Sequence, residues 1–201
     1  MFERSWPDVT VNPTDALTRC AWVNADPLYI AYHDEEWGRP LRDDRKLFEL
    51  LMLEGMQAGL SWYTILKKRE SFREAFDGFD PMKIVEYGPD KVEELLQNPG
   101  IIRNRLKVQG VITNARVYLD IVKEHGGFAD YLWSFVDGTP VVNQWERIDQ
   151  VPASTPLSDA MSKALKKKGM KFVGTTIIYA FMQASGMVND HTLNCFCRSG
   201  N

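Results

Sequence analysis

One acidic side chain stands between an apolar run and a glycine-containing turn, a position suited to chemistry on a charged ligand. Glu54 follows the run Leu47–Met52, which predicts a buried helix, and no basic residue stands nearer along the chain than Lys46 and Lys67. A carboxylate carried into apolar surroundings is costly unless something pairs with it. Glu54 is therefore a candidate for binding a ligand of opposite charge.

The residues after Glu54 leave room for such a ligand. Gly55, Ala58 and Gly59 keep the backbone bare, so another molecule can come close, and Trp62 supplies a flat ring within reach. An acid, a bare backbone and an aromatic ring suit a flat ligand that is electron-poor or cationic. The alternative that this stretch leaves open is an ordinary pair of helices, with Glu54 in solvent and Trp62 in the core.

Cysteine and histidine residues near the two ends of the chain form a candidate set of metal ligands. Cys20 and His33 are separated by twelve residues, and His191 and Cys195 by three. Two sulfurs and two imidazoles are the ligand set of a closed tetrahedral zinc site, and the shorter spacing places its two residues one helical turn apart. Buried cysteines and hydrogen-bonded histidines are the alternative interpretation, and Cys197 is a spare thiol.

A proline-glycine turn between two predicted helices is similar to the turn of a helix-hairpin-helix motif. Gly100 and Ile101 lie within Pro99–Ile102, and Ile102 replaces the second glycine that the motif usually carries. A glycine turn leading into a helix exposes backbone N–H groups that can bind a DNA phosphate. Positive charge is added beside the turn by Arg103, Arg105 and Lys107. A plain helix break is the alternative, since these dipeptides punctuate any helical protein.

An aromatic-rich segment, Leu28–Gly38, precedes the Glu54 stretch. Tyr29, Tyr32 and His33 share one face of a predicted helix by their spacing. Such a stripe indicates either a packed core or a binding surface, because apolar periodicity mainly reports burial.

Local signals for helix starts divide the chain into short helices. Pro27 and Pro81 each follow an aspartate and suit the first position of a helix. Asp43 or Asp44 suits the cap before the long apolar helix, and Ser158 is predicted to cap a later helix.

The chain as a whole is predicted to be all-α. The run Val173–Ala184 is apolar nearly all round, which predicts a central buried helix, and residues 141–148 are irregular with room for a short extended piece. We expect a leader or loosely held arm at residues 1–19, one domain at 20–197 and a tail at 198–201.

Composition limits the partners of the chain. Its 201 residues are 44% hydrophobic and 25% charged, with a net charge of −3, so nucleic-acid binding requires a local basic face. No apolar run reaches the length of a membrane span, and the N-terminus lacks the apolar region of a secretory signal. Three cysteines form no disulfide framework, which favours a reducing, cytoplasmic location.

Taken together, these residues resemble the 3-methyladenine DNA glycosylase I family over residues 20–197. The stretches that carry the resemblance are Arg19–Val23, Asp26–Gly38, Leu53–Trp62, Ser158–Thr176 and Val188–His191. The resemblance implies an all-α helix-hairpin-helix glycosylase with a structural zinc ion bound by Cys20, His33, His191 and Cys195. It also implies a base pocket lined by Glu54, Tyr32 and Trp62, with Trp22 and Tyr29 close by.

The implied activity is hydrolysis of the N-glycosidic bond of 3-methyladenine in double-stranded alkylated DNA, a step of base excision repair. The cationic base leaves the stack, stacks on Trp62 and is bound by an ionised Glu54, while Gly59 and Leu60 fill the emptied space. Asn104 stands where bifunctional relatives place a lysine nucleophile. We therefore expect a monofunctional enzyme that leaves an abasic site and releases free 3-methyladenine. We also expect a monomer, since nothing in the sequence demands a larger assembly.

Two other classes of protein fit the same residues. A non-catalytic module that senses damaged DNA or free modified bases would share the pocket and the turn, so only turnover separates it from an enzyme. A zinc-stabilised interaction protein would have no pocket chemistry, and Trp62 fluorescence would then not respond to free 3-methyladenine.

Overall fold

Polar caps and prolines set where the helices of this chain begin. The computed structural model describes residues 17–199, and within that range the chain is mostly helical, as predicted. The helices are α1 (Pro27–Glu35), α2 (Asp44–Gln57), α3 (Trp62–Lys67), α4 (Arg69–Ala75), α5 (Pro81–Ile84), α6 (Pro89–Gln97), α7 (Arg105–His125), α8 (Phe128–Trp133), α9 (Pro156–Lys167) and α10 (Thr175–Ala184). Short 3₁₀ helices lie at Asp77–Phe79, Ser134–Val136, Ile148–Gln150 and Phe196–Ser199, and two strands are β1 (Val141–Val142) and β2 (Val188–Asn189).

Three aspartates cap helices where the sequence predicts them. The carboxylates of Asp26, Asp43 and Asp80 each accept a hydrogen bond from a backbone N–H in the first turn of α1, α2 and α5. These bonds satisfy amide groups that have no partner within their own helix. The predicted starts at Pro27 and Pro81 are confirmed.

The predicted cap at Ser158 is wrong. Helix α9 begins at Pro156, and Thr155 is its cap. Proline suits the first helical position because its φ is already helical and it has no N–H to satisfy. Ser158 instead occupies the third position, where its hydroxyl accepts a hydrogen bond from the amide of Thr155 and closes a capping box.

The core forms on both sides of α2, which packs against α7 and against α10. Helix α10 packs on α9 and α2, and α7 packs on α2, α5, α6 and α8. Phe48, Ile121 and Phe181, one from each of the three central helices, are fully buried. The predicted central helix is thus confirmed, although it begins at Thr175 rather than at Val173.

Phe172, a residue with left-handed backbone geometry, packs between the end of α2 and α7. Phe172 has a φ of +57°, and its side chain lies between Gly55 of α2 and Gly110 of α7. A Cβ atom at Gly110 would come within 2.9 Å of the Phe172 ring, so the close approach requires glycine. Asn114 of α7 donates to the carbonyl of Lys171 at 3.0 Å and accepts from its amide at 2.7 Å. This interface positions the last turn of α2.

A short parallel strand pair returns the C-terminal segment to the body of the domain. Val141 of β1 lies opposite Val188 of β2. Beyond β2, the amide of Leu193 donates to the carbonyl of Trp145 at 2.8 Å. The segment that carries His191 is therefore held against residues 141–145.

The predicted leader and tail fall largely outside the described residues. Residues 1–16 and 200–201 are not among those that the structure describes. The last residues of the predicted leader are tied to the domain, because the carbonyl of Thr18 accepts from the amide of Phe196 at 3.0 Å. Within residues 17–199, no helix combines the length and the apolar character needed to cross a membrane.

Candidate active site and metal centre

Helices α1, α2, α3 and α10 and the segment 148–153 enclose one cavity of about 450 Å³. Small-molecule sites commonly have volumes in this range. The cavity brings together the five residues predicted to line a base pocket, namely Trp22, Tyr29, Tyr32, Glu54 and Trp62.

Glu54 lies in the last full turn of α2 and faces this cavity. Its side chain is buried, with the residue only 3% exposed, and its Oε2 has no hydrogen-bond partner among the described residues. Burial raises the pKa of Glu54 to about 8. In the free protein, burial therefore favours the protonated carboxyl at neutral pH. An ionised Glu54 facing a bound cationic base stays a prediction. A ligand that carries positive charge would favour the ionised form.

Aromatic rings form the wall around Glu54. The rings of Tyr32 and Trp62 lie 5.4 Å apart between centroids, and those of Trp22 and Tyr29 lie 5.0 Å apart. Burial, together with the charge of Glu54, raises the pKa of Tyr29 to about 12. The indole Nε1 atoms of Trp22 and Trp62 have no acceptor among the described residues. Buried polar groups normally have partners, so these two N–H groups remain available as donors to a ligand in the cavity.

Residues that were not predicted from the sequence also line the cavity. Helix α10 contributes Thr176, Tyr179 and Gln183, and the remaining wall contains Trp37, Gln57 and parts of 148–153. The three α10 residues are separated by three and four positions and so lie on one helical face. Polar side chains at that spacing, within an otherwise apolar helix, were the signal that could have identified them.

Four buried side chains bring their ligand atoms together at the junction of the two chain ends. The Sγ atom of Cys195 lies 3.3 Å from Nδ1 of His191 and 3.4 Å from Nε2 of His33, and Sγ of Cys20 lies 3.5 Å from Nδ1 of His191. Ligand bonds of about 2.3 Å to sulfur and 2.0 Å to nitrogen around a tetrahedral ion give sulfur–nitrogen distances of roughly 3.5 Å. The donors fit one metal ion, and Cys197 lies outside this set, 3.9 Å from His33 Nδ1.

The second ring nitrogen of each histidine in this cluster lies within hydrogen-bonding distance of an acceptor, which orients the ring. His33 Nδ1 lies 2.7 Å from the carboxylate of Asp34, which accepts further hydrogen bonds from Arg19 at 2.7 and 2.9 Å. His191 Nε2 lies 3.0 Å from the carbonyl of Trp37. Metal-binding histidines usually donate their second ring N–H in this way, because it fixes the tautomer that binds the ion.

The turn between α2 and α3 carries the two residues predicted to act as a wedge. Gly59 has a φ of +84°, a conformation that favours glycine. Leu60 is 42% exposed, and its neighbours Gln57 and Trp62 both line the cavity. The turn therefore presents an apolar side chain at the edge of the cavity.

In the turn between α6 and α7, two backbone amides form hydrogen bonds within the turn itself. The amide of Gly100 donates to Oδ1 of Asn98 at 2.8 Å, and the amide of Ile101, whose side chain is buried, donates to the carbonyl of Asn98 at 3.4 Å. The amides of Ile102 and Arg103 have no acceptor within residues 17–199. Phosphate binding by this turn stays a prediction, with Ile102 and Arg103 as the amides available for it.

Lys107 faces inward, in contrast to the expectation that it contacts DNA. It is 8% exposed, and its ammonium donates to the carbonyls of Met56 and Ala58 at 2.8 Å each. These carbonyls belong to the C-terminal end of α2, where a cation is favourable. Lys107 therefore supports the turn that carries Leu60, and its ammonium is directed away from any phosphate bound at the turn between α6 and α7.

Comparisons with known proteins agree on one family. The sequence model described as methyladenine glycosylase matches residues 22–198. The chain is 56% identical to DNA-3-methyladenine glycosylase 1 of Escherichia coli K12 over 185 residues, which are 92% of this chain and 99% of that protein. A crystal structure of 3-methyladenine DNA glycosylase I is 59% identical with a TM-score of 0.88, covering 90% of this chain and 99% of the other. The Staphylococcus aureus enzyme, whose structure addresses 3-methyladenine recognition, is 38% identical with a TM-score of 0.88, covering 92% and 98%.

Proposed function

The chain belongs to the methyladenine glycosylase family, and we propose that it is a DNA-3-methyladenine glycosylase that hydrolyses the N-glycosidic bond of 3-methyladenine in alkylated double-stranded DNA. The observation that carries this proposal is Glu54, a buried carboxyl without a partner among the described residues, at the wall of an aromatic cavity. The reaction begins base excision repair by leaving an abasic site.

Charge explains why the pocket suits an alkylated base. Adenine methylated at its minor-groove nitrogen is cationic while attached to the sugar, and the bonding electrons neutralise the base as it leaves. The leaving group therefore needs little acid catalysis. A water molecule supplies the hydroxyl that the sugar carbon gains, and its remaining proton is released to solvent. Trp62 stacks on the flipped base and attracts its charge. Glu54 loses its proton to solvent as the base binds and accepts one hydrogen bond from the exocyclic amino group of the base. Unmodified adenine is neutral and gains much less from both contacts.

We propose that the DNA duplex lies across the turn between α2 and α3 and the turn between α6 and α7. A base must leave the stack before it can enter an enclosed cavity. Leu60, exposed on the turn after Gly59, fills the space that the base leaves. The amides of Ile102 and Arg103, together with the Arg103 side chain, bind a backbone phosphate. Phosphate contacts of this kind fix position without reading sequence.

The chemistry is that of a monofunctional glycosylase. A lyase activity needs an amine nucleophile that forms a Schiff base with the sugar. Asn104 occupies the corresponding position after the turn, and its side chain caps α7 by accepting from the amide of Lys107. A side-chain amide cannot form that intermediate. The products are free 3-methyladenine and an unbroken strand with an abasic site.

We also propose that Cys20, His33, His191 and Cys195 hold a structural zinc ion. Two thiolates and two imidazoles with no open position are typical of structural rather than catalytic zinc. The ion would join the segment before α1, α1 itself and the C-terminal segment, and it takes no part in the reaction. The monomeric state and the cytoplasmic location expected from the sequence remain predictions.

Product analysis tests the enzymatic function. The full-length protein is incubated with methylated duplex DNA, and the released bases are separated by chromatography. We expect 3-methyladenine to be released, and the Glu54→Gln variant to release it roughly 10- to 100-fold more slowly, because a hydrogen bond to a charged group is lost. Equal rates for the two proteins would refute the role of Glu54.

The same preparation distinguishes the competing classes. A binding module would quench or shift tryptophan fluorescence on addition of free 3-methyladenine without releasing any base from DNA. An interaction protein would show neither effect. Strand cleavage without added base or heat would contradict the monofunctional assignment.

A further inference from the structure

A buried carboxylate behind the cavity accepts four hydrogen bonds from neutral side chains. Asp190 is fully buried. Its Oδ1 accepts from Nδ2 of Asn143 and Nε1 of Trp145, each at 2.7 Å. Its Oδ2 accepts from the hydroxyl of Tyr179 at 2.6 Å and from Nε2 of Gln183 at 2.8 Å. Two of the four donors, Tyr179 and Gln183, also line the cavity.

This network decides which way the Gln183 amide faces. An ionised carboxylate has no hydrogen to donate. The end of the Gln183 amide that contacts Asp190 must therefore be its NH₂ group. Its Oε1 is consequently turned away from Asp190. That oxygen has no partner among the described residues, yet it is not a buried atom, and it belongs to a side chain on the cavity wall.

We propose that Gln183 is a specificity-determining residue whose Oε1 accepts a hydrogen bond from the exocyclic amino group of the bound purine, and that Asp190 is the positioning residue that fixes this polarity. The inference rests on the proposed function and adds how the pocket distinguishes bases of similar shape. In a purine with a carbonyl in place of the amino group, the carbonyl oxygen would face Oε1 of Gln183. Both atoms are acceptors, so neither would gain a hydrogen bond. Size alone would not separate the two, because an amino group and a carbonyl oxygen occupy similar space.

Removal of the amide tests the contact directly. Gln183→Met keeps the length of the side chain and removes its acceptor, and the fold is checked by circular dichroism. Binding of free 3-methyladenine and of 3-methylhypoxanthine, which carries a carbonyl where the former carries its amino group, is measured by tryptophan fluorescence. We expect the preference for 3-methyladenine to fall by about tenfold or more. An unchanged preference in the folded variant would overturn the proposal.

Reversal of the amide tests the role of Asp190. In Asp190→Asn, the single side-chain oxygen must stay toward Trp145, because an indole N–H can only donate. The new NH₂ group then faces Tyr179 and Gln183, and Gln183 turns its oxygen toward it. The cavity wall gains a donor in place of an acceptor, so we expect 3-methylhypoxanthine binding to improve while 3-methyladenine binding weakens. A purely structural role for Asp190 would weaken both ligands alike, and that result would overturn the assignment.

A matched control removes a donor on the other side of the same carboxylate. Asn143→Ala takes away one hydrogen bond to Oδ1 and leaves the bond between Asp190 and Gln183 in place. We expect the ligand preference of this variant to equal that of the unsubstituted protein. If the unsubstituted protein itself binds neither 3-methyladenine nor 3-methylhypoxanthine, the proposed function fails, whereas binding without the predicted changes in preference refutes only this inference.

Discussion

Burial of Glu54 couples the binding site to the stability of the fold. The ordinary pKa of the group is 4.5, whereas burial raises it to about 8 in the folded protein. Between these values, the unfolded chain has lost a proton that the folded chain retains. The free energy of unfolding therefore falls as pH rises through this window, since the native state binds more protons than the unfolded state.

The Glu54→Gln variant separates the loss of stability caused by Glu54 at higher pH from other effects of pH on the protein. The amide is neutral at every pH, so the variant does not have to keep a proton or bury a charge. We expect its thermal midpoint, relative to that of the unsubstituted protein, to rise between pH 5 and pH 8. Differential scanning calorimetry of both proteins at several pH values measures the difference. A difference that does not vary with pH would mean that Glu54 titrates normally in the folded state.

The sequence could identify Glu54 and Trp62 but not the protonation of the carboxyl. Both residues stand in one stretch, so their proximity follows from local helix geometry. The ionisation of Glu54 depends on what encloses it, including Tyr179 and the segment 148–153. Those parts lie about a hundred residues further along the chain, and nothing local indicates that they close the cavity.

At the scale of the elements, local signals predicted where helices begin better than which face each helix buries. Asp26, Asp43 and Asp80 act at the ends of their own helices, so their roles could be predicted from neighbouring residues alone. The cavity-facing side of α10 was not predicted, because the run Val173–Ala184 was interpreted as apolar nearly all round and the spacing of its polar residues was not used. The direction of Lys107 depends on the end of α2, which lies some fifty residues earlier.

Lys107 joins two elements that serve different parts of the proposed function. It lies one turn beyond the predicted phosphate-binding turn, and its ammonium holds the end of α2 next to Leu60. Lys107→Met keeps the apolar stem but leaves two carbonyls without their donor. We expect a loss of about 1–3 kcal/mol in the free energy of unfolding, measured by urea denaturation.

A surface lysine provides the control for this substitution. Lys163 is an exposed residue of α9, and Lys163→Met is expected to change stability by no more than about 0.5 kcal/mol. If Lys107→Met has an equally small effect, the ammonium of Lys107 contributes nothing to holding the end of α2. Its hydrogen bonds to the carbonyls of Met56 and Ala58 would then be without energetic consequence.

At the scale of the whole molecule, the cysteine–histidine cluster joins parts of the chain that are far apart in sequence. Cys20 and His191 are separated by 171 positions, yet their side chains are in contact. The residue just before His191 is Asp190, which holds Tyr179 and Gln183 in the cavity wall. A metal ion at the cluster would therefore stabilise the closed chain and also the wall of the site, because binding to the folded state alone adds directly to folding stability.

Metal removal tests this connection. We expect one zinc ion per chain by elemental analysis, and a fall in the thermal midpoint of about 10 °C or more after prolonged chelation, since each kcal/mol shifts the midpoint of a chain of this size by roughly 2–4 °C. Cys195→Ser should lose the zinc and show the same fall. Cys197→Ser changes a thiol just outside the cluster and should retain both zinc and midpoint. If the two serine variants lose zinc equally, Cys197 is itself a ligand, and the four-residue assignment must change.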